Sequence, residues 1–331
     1  MFENNSNCSL ADLRYPLFKI TYSLVLALGL PLNAVALWMF LRRLCRSISV
    51  PVIYMTNLAL SDLLFVLSLP FRILYFSTGR WTLGDVACMI PGTLFSVNLY
   101  SSSFFIMLVS VDRMLALAYP LRSRSVRTPT VAWITCLAVW IVIGTLAVPV
   151  ALNHRANNDT QCGVQRCFEH YSEENWRFGF FILCIVTTVG ILLPFCIILA
   201  CTVVVVRQLR GIAVTSALPS STEVSIKMVW LLLSNLLIYA ICFIPFHAVF
   251  ILYGLQKLNV FQYFHNLLTV QTVTMCLAST NSCLDPLVYY FSTRTHITWY
   301  ALANSGHGYN TVIVCSCQSW LKPQGLWNFL C

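Results

Sequence analysis

Charge is scarce in this 331-residue chain: Asp, Glu, Lys and Arg make up 9% of it, while hydrophobic residues make up 58%. Soluble domains carry about 25% charged residues, so a water-soluble globule of this composition could not cover its surface, and a membrane protein is expected. Basic blocks are absent as well. The net charge of +9 is scattered over short loops, which argues against a nucleic-acid partner and points to membrane topology. There are no CxxC pairs. The fifteen cysteines are dispersed, mostly within apolar runs, which argues against a zinc site or a disulfide scaffold and leaves buried thiols as the ordinary reading. Cys8, Cys88, Cys162 and Cys167 are different, because they lie outside those runs or at their ends. The amino terminus, MFENNSNCSLADLRYPLFK, lacks the basic start, apolar centre and cleavage site of a signal peptide, so the first span is expected to serve as its own insertion signal. Dinucleotide, phosphate-loop, HExxH and nucleophile-elbow motifs are missing, which leaves an enzyme without support. Nor is there an internal repeat of the transporter type.

What the chain does contain is seven apolar segments, at 17–41, 51–77, 86–111, 130–152, 178–206, 228–254 and 264–291. Each reaches the roughly 20 residues that a bilayer requires. In lipid the backbone must satisfy itself within each segment, so these are helices, and runs this long are not barrel strands. The expected fold is an all-α membrane protein, a seven-helix bundle over 17–292, with an outer segment 1–16 and an inner tail 293–331. With the N-terminus outside, the inner loops hold Arg42, Arg43, Arg46, Arg122, Arg124, Arg127, Arg207, Arg210 and Lys227, against Arg80, Arg155, Arg166, Arg177 and Lys257 outside. That excess follows the positive-inside rule. The glycosylation sequons at Asn4, Asn7 and Asn158 all fall on the same outer side.

Polar residues inside the spans are the next signal. Asp62 lies within NLALSDLLF and Asp285 within STNSCLDPLVYYF. A carboxylate at membrane depth costs several kcal/mol unless partnered or hydrated, so both are functional candidates by default. Asn33, Asn98, Ser102 and Asn281 are placed to share one polar centre with them. Pro149, Pro194, Pro245 and Pro286 fall inside the last four spans, where proline kinks a helix and frees a carbonyl. Asp112-Arg113 closes the third apolar run at the inner boundary, where the ordinary reading is a helix anchor and the alternative is an electrostatic tie between helix ends.

These features come in a recognisable order: LPLN at 30–33, NLALSD at 57–62, Cys88, DRM at 112–114, Trp140, Pro194, CFIP at 242–245 and DPLVY at 285–289. Over roughly residues 17–291 the chain resembles the rhodopsin-like (class A) G protein-coupled receptors. Met114 stands where an aromatic residue is usual after Asp-Arg, and Tyr239 where Phe is commoner. Phe243 and Asp285, in place of Trp and Asn, resemble the branch that holds nucleotide, protease-activated and lysophospholipid receptors. Within it, YSLVLALGLPLNAVALWMFLR, SDLLFVLSLPFR, the W-x-x-G-D-x-x-C run of 81–88 and CFEHYSEENW are most similar to the lysophosphatidic acid receptors.

The resemblance implies a lysophospholipid agonist with a phosphate head and an acyl tail, and signalling through a heterotrimeric G protein. It implies a population shift in which the sixth helix moves outward at its inner end. Asp62, Asn281, Asp285, Pro286, Tyr289, Phe243 and Pro245 are then the movable element, and Asp112-Arg113 the coupling end, with Arg113 released toward the G protein. No organic cofactor is implied; a sodium ion at Asp62 is. A Cys88–Cys167 disulfide is implied by the CFE context at 167–169, with Cys162 as the competing partner and a Cys8–Cys162 bridge as a further option. For the phosphate, Arg72 lies ten residues beyond Asp62 within the apolar run, and Arg suits bidentate phosphate recognition. Lys19, Lys257 and Arg155 are further candidates, although a lysine at a span end is as readily a snorkelling anchor. Tyr100 and His247 are candidate walls of the acyl cleft, among Tyr75, Phe76, Phe95 and Phe246. A nucleotide or peptide receptor of the same branch is the alternative, and a seven-span transporter or channel the remote one.

After Phe291 the pattern stops. In place of an amphipathic helix and a Ser/Thr-rich tail, the chain reads STRTHITWYALANSGHGYNTVIVCSCQSWLKPQGLWNFLC. An alternative splice form or read-through is the expected cause, and Cys315 and Cys317 are palmitoylation candidates.

Overall fold

The computed structural model describes residues 13–153, 156–159, 163–167, 176–215, 219–260 and 266–289. Asn4, Asn7, Cys8, Arg155, Cys162 and the 293–331 tail lie outside the described residues. Four helices each make one span: α1 Arg14–Arg46, α2 Val50–Thr78, α3 Gly84–Ala118 and α4 Pro129–Asn153. The fifth span combines α5 Trp176–Thr187, a π turn Thr188–Leu192 and α6 Leu193–Thr215. The sixth combines α7 Pro219–Cys242 and α8 Ile244–Lys257, and the seventh α9 Leu267–Ser279 and α10, residues 281–289. All seven expected segments are therefore helical spans, and the helices of the first six run beyond them. Helix α3 continues from the apolar limit at 111 to Ala118, so Asp112-Arg113 sits within the helix and not at its end. Apolarity marks the bilayer's thickness, whereas backbone hydrogen bonding carries the helix on into the headgroup region.

Helices α2 and α3 form the centre: α2 packs between α1 and α3, and α3 touches α4, α6 and α7. Their interior side chains, such as Phe65, Leu69, Phe105 and Ile106, are fully buried, while Leu24, Leu137, Ile141, Phe181 and Leu237 stay exposed. Large outward-facing apolar side chains on every flank are what a lipid-solvated bundle presents, and no soluble monomer tolerates them. Gly29 lets α1 approach closely, because a Cβ there would meet Val66 at 3.1 Å and the Cys283 sulfur at 3.3 Å.

Each break in a span has a chemical cause. Pro245, at the start of α8, cannot donate to the carbonyl of residue 241, and the sixth span is interrupted at Phe243. The backbone continues across through Phe243 N–H to the Tyr239 carbonyl (2.9 Å) and His247 N–H to the Phe243 carbonyl (3.3 Å). In the seventh span the chain tightens at Thr280, whose N–H reaches Leu277 at 3.1 Å. Among the described residues the departure from an all-helical chain is an antiparallel hairpin in the second outer loop, β1 Asn157–Asp159 against β2 Val164–Arg166. Strands of three residues leave too little periodicity to be read from sequence.

Candidate functional site

From outside to inside, the polar and aromatic groups fall into four tiers. The outermost is a cap. The 81–88 run fixes it residue by residue: Trp81 N–H donates to the Gln165 carbonyl (2.8 Å), and its indole N–H to the Gly84 carbonyl (2.7 Å). Gly84 has a φ of 76°, which side-chain-bearing residues rarely adopt. The Asp85 carboxylate accepts from Ala156 N–H (3.1 Å), and Cys88 is bonded to Cys167 with their Cα atoms 5.9 Å apart. Arg166 on β2 donates to the Tyr15 hydroxyl at 2.8 Å, tying the hairpin to α1. Asn158 is exposed on β1, as a glycan acceptor must be. Between Cys88's two candidate partners the structure chooses Cys167.

Beneath the cap lies Arg72. It is 2% exposed, donates to the Pro91 carbonyl at 3.0 Å and to the Tyr22 hydroxyl at 3.5 Å, and rests 5.7 Å from the Tyr22 ring and 5.5 Å from the Phe95 ring. A cation held against two ring faces in a desolvated site is a strong but displaceable arrangement. Phe95 continues edge-on to Phe246 (5.6 Å), and Phe246 to His247. His247 is buried, its Nδ1 2.9 Å from the Phe243 carbonyl and its Nε2 3.4 Å from the Tyr100 hydroxyl. Arg72, Tyr100 and His247 thus lie in the interior along one aromatic path. Lys19 and Lys257 do not join them: both are exposed, and Lys257 packs over Tyr253 at 5.8 Å.

The third tier is the polar centre. Asn98 donates to Asp62 Oδ1 at 2.7 Å, and Ser102 donates to the same oxygen at 3.4 Å. Asn281 donates to Asp285 at 2.9 Å. Asp62 is fully buried, and its Oδ2 accepts no hydrogen bond from the described residues. Asn33, Asp62, Asp285, Pro286 and Tyr289 line one narrow crevice. Asn33 also donates to the Ser282 carbonyl (2.7 Å) and the Gly29 carbonyl (2.9 Å), joining α1 to α10. Alongside, Trp140 on α4 donates to Asn57 on α2 at 2.8 Å.

The inner tier answers what Asp112 does. Its carboxylate accepts from Arg127 Nε at 2.8 Å, so it ties α3 to the turn before α4, while Arg113 is half-buried beside it. Sequence reading missed Arg127 in this role, and it missed Ser103. The Ser103 hydroxyl reaches the Gly190 carbonyl (2.6 Å) and the Tyr239 hydroxyl (2.5 Å), and Tyr239 donates to the Ile191 carbonyl (3.0 Å). A serine in a helix gives no signal of its own; the freed carbonyl opposite it, set by Pro194, is the only clue.

The sequence matches the family of 7 transmembrane receptors (rhodopsin family) over residues 32–289. It is 41% identical to lysophosphatidic acid receptor 5 of Mus musculus over 300 residues, covering 87% of this chain and 78% of that one. It is 37% identical to lysophosphatidic acid receptor 6 of Gallus gallus over 297 residues, 88% of this chain and 95% of the relative. Lysophosphatidic acid receptor 4 of Homo sapiens is 36% identical over 297 residues, 87% of this chain and 78% of its own length.

Proposed function

Since the chain belongs to the rhodopsin family of seven-transmembrane receptors, a multi-pass family of the plasma membrane and not one of enzymes, we propose that its agonist is extracellular lysophosphatidic acid and its transducer a heterotrimeric G protein. One observation carries the ligand assignment: Arg72, a cation sunk 2% exposed among aromatic rings beneath a disulfide-anchored cap. The names of the relatives agree with it.

The buried Arg72 guanidinium donates to a neutral carbonyl and a hydroxyl. A phosphate monoester offers it a charge-assisted, bidentate partner, and such bonds are roughly twice as strong as neutral ones. The acyl chain then runs along Phe95, Phe246, Tyr100 and His247, where apolar surface favours it. Lodging there separates side chains of α3 from side chains of α8, so the ligand binds better to a bundle whose sixth span has shifted, and raises that state's population. The exposed Lys19 and Lys257 serve as outer charges that attract the headgroup. At the other end, loosening of the Asp112–Arg127 tie and of Arg113 presents the coupling surface.

The polar centre suits a hard monovalent cation. Its donors are oxygens of Asp62, Ser102 and Asp285, without a histidine or cysteine cluster among the described residues, and Asp62 Oδ2 is an acceptor left over. When bound, sodium would neutralise part of that charge; Asp62 and Asp285 would hold it and Asn98 would orient Asp62.

The test is a G protein activation screen in cells lacking endogenous responses, against lysophosphatidic acid, other lysophospholipids, nucleotides and peptides. Activation by lysophosphatidic acid is expected. A response to nucleotide or peptide alone would move the receptor to another ligand class, and ion flux without G protein activation would make it a channel or transporter.

A further inference from the structure

The second inner loop carries a feature that neither ligand binding nor the polar centre uses. Its turn reads LRSRSVRTP at 121–129, with two serines set among three arginines. The sequence treats Ser123 and Ser125 alike, and the structure separates them. Ser123 is 4% exposed, and its hydroxyl donates to the Leu115 carbonyl of α3 at 3.2 Å. Its own carbonyl accepts from Val126 N–H (3.1 Å) and Arg127 N–H (2.9 Å), so it pins the turn. Ser125 is exposed together with Arg124 and Val126, and no hydrogen bond engages its hydroxyl among the described residues. Three cations bracket that hydroxyl in sequence: Arg122 three residues before it, Arg124 one before and Arg127 two after. Positive charge on both sides of an exposed acceptor is the pattern that a kinase with an acidic substrate cleft selects. The turn is short and held by a few backbone bonds, so it opens locally into the extended form that a kinase grips.

A phosphate on Ser125 has a partner two residues away. Arg127 holds Asp112 through Nε at 2.8 Å and a second nitrogen at 3.4 Å, yet its side chain is 28% exposed, so the pair is weak. Asp112 offers one negative charge. Phosphoserine carries about −1.5 to −2 and three acceptor oxygens, and a guanidinium fork binds phosphate in bidentate fashion. The same edge of Arg127 cannot hold carboxylate and phosphate at once.

We infer that Ser125 is a phosphorylation site for a basophilic serine kinase, and that its phosphate draws Arg127 away from Asp112, untying α3 from the turn before α4. In the transfer the γ-phosphorus of ATP leaves its bridging oxygen for Ser125 Oγ, ADP departs, and the hydroxyl proton passes to the kinase's base. Neither step involves the lipid, so its test stands apart from the ligand assignment.

The experiment treats the full-length receptor, solubilised in a maltoside detergent, with ATP and the catalytic domains of protein kinase A and protein kinase C, and maps the product by peptide mass spectrometry. Phosphate is expected on Ser125 and not on Ser123. In phosphorus-31 NMR titrations, read as the difference from Ser125→Ala, the phosphoserine should titrate about half a unit lower in wild type than in Arg127→Ala, because a guanidinium favours the dianion. Agonist-free nucleotide exchange on a mixture of heterotrimeric G proteins should rise about twofold to fivefold when the wild type is phosphorylated. Kinase treatment should add nothing in Ser125→Ala or Arg127→Ala, since one lacks the acceptor and the other the tie. Should Arg127→Ala not reach the surface, Arg127→Gln takes its place. Absence of phosphate from Ser125 with both kinases overturns the site. Equal titration midpoints in wild type and Arg127→Ala, or exchange that stays level or falls on phosphorylation, overturns the capture of Arg127.

Discussion

Pro286 in the seventh span and Pro194 in the fifth each lack the N–H that an unbroken helix would offer to the carbonyl four residues earlier. The two freed carbonyls are mended differently. At Ser282 the replacement donor is the Asn33 amide, which has two protons and uses them on Ser282 and Gly29, so both N–H bonds are made at once. At Gly190 the replacement is a serine hydroxyl with one proton and a tyrosine competing for it. The first joint is fully committed and holds α1 to α10. The second is over-subscribed and joins the third, fifth and sixth spans. Where a proline break is capped by an amide with a proton for each partner, the joint is committed; where it is capped by hydroxyls that share, it is over-subscribed.

The largest effect expected is on the committed joint. Asn33→Ala leaves the buried Ser282 carbonyl short of a donor, at about 1–3 kcal/mol, a large share of a typical stability of about 5–15 kcal/mol. Surface density and the melting temperature of the solubilised receptor should both fall sharply. Adding Pro286→Ala gives Ser282 its backbone donor back and should recover part of the loss; no recovery would break the comparison, because the proline would not then be what Asn33 compensates.

Next comes the crevice between the joints. Asp62→Asn keeps hydrogen bonding with Asn98 and Ser102 within reach while removing the charge. Surface density should stay near wild type, and agonist potency should lose its difference between sodium and choline buffers. A sodium dependence equal to wild type would argue against a cation at Asp62.

The smallest effect belongs to the inner tie. The Arg127 side chain is 28% exposed, so its pair with Asp112 contributes at most about 1 kcal/mol. Arg127→Ala should therefore leave the melting temperature almost unchanged and raise agonist-free exchange no more than about fivefold. A collapse in expression would show that this tie belongs with the committed joints.

Much of this was legible before any coordinates. The seven spans follow from the bilayer's demand for long apolar helices, and Asp62, Asp285 and Asn98 stand out because polar groups at that depth need partners. The W-x-x-G-D-x-x-C run is readable for the same reason that it works: Trp81, Asp85 and Cys88 each make a separate contact with the outer loop, and Gly84 accepts from the Trp81 indole. What stayed hidden is pairing between spans. Nothing local to Ser103 says that it faces Gly190, and Arg127 looks like any basic loop residue until Asp112 is found 2.8 Å away. The hairpin β1–β2 was also invisible, because its pairing is specified by the anchored loop around it more than by its own residues. Position within the apolar run already sets Arg72 apart from Lys19 at a span end, and burial separates them in the structure: one is exposed and the other held in the core.

That separation makes Arg72 the place to test the account. Dose-response curves for lysophosphatidic acid should be measured on G protein activation by wild type, Arg72→Ala and Arg72→Lys at matched surface density. A charge-assisted bond contributes about 1.5–3 kcal/mol, so Arg72→Ala should lose potency roughly tenfold to a hundredfold or more. Arg72→Lys should recover only part of that, since an ammonium cannot reproduce the planar fork. Wild-type potency in Arg72→Ala would contradict the phosphate role of this residue, and silence of the wild-type receptor toward the lipid would contradict the ligand itself.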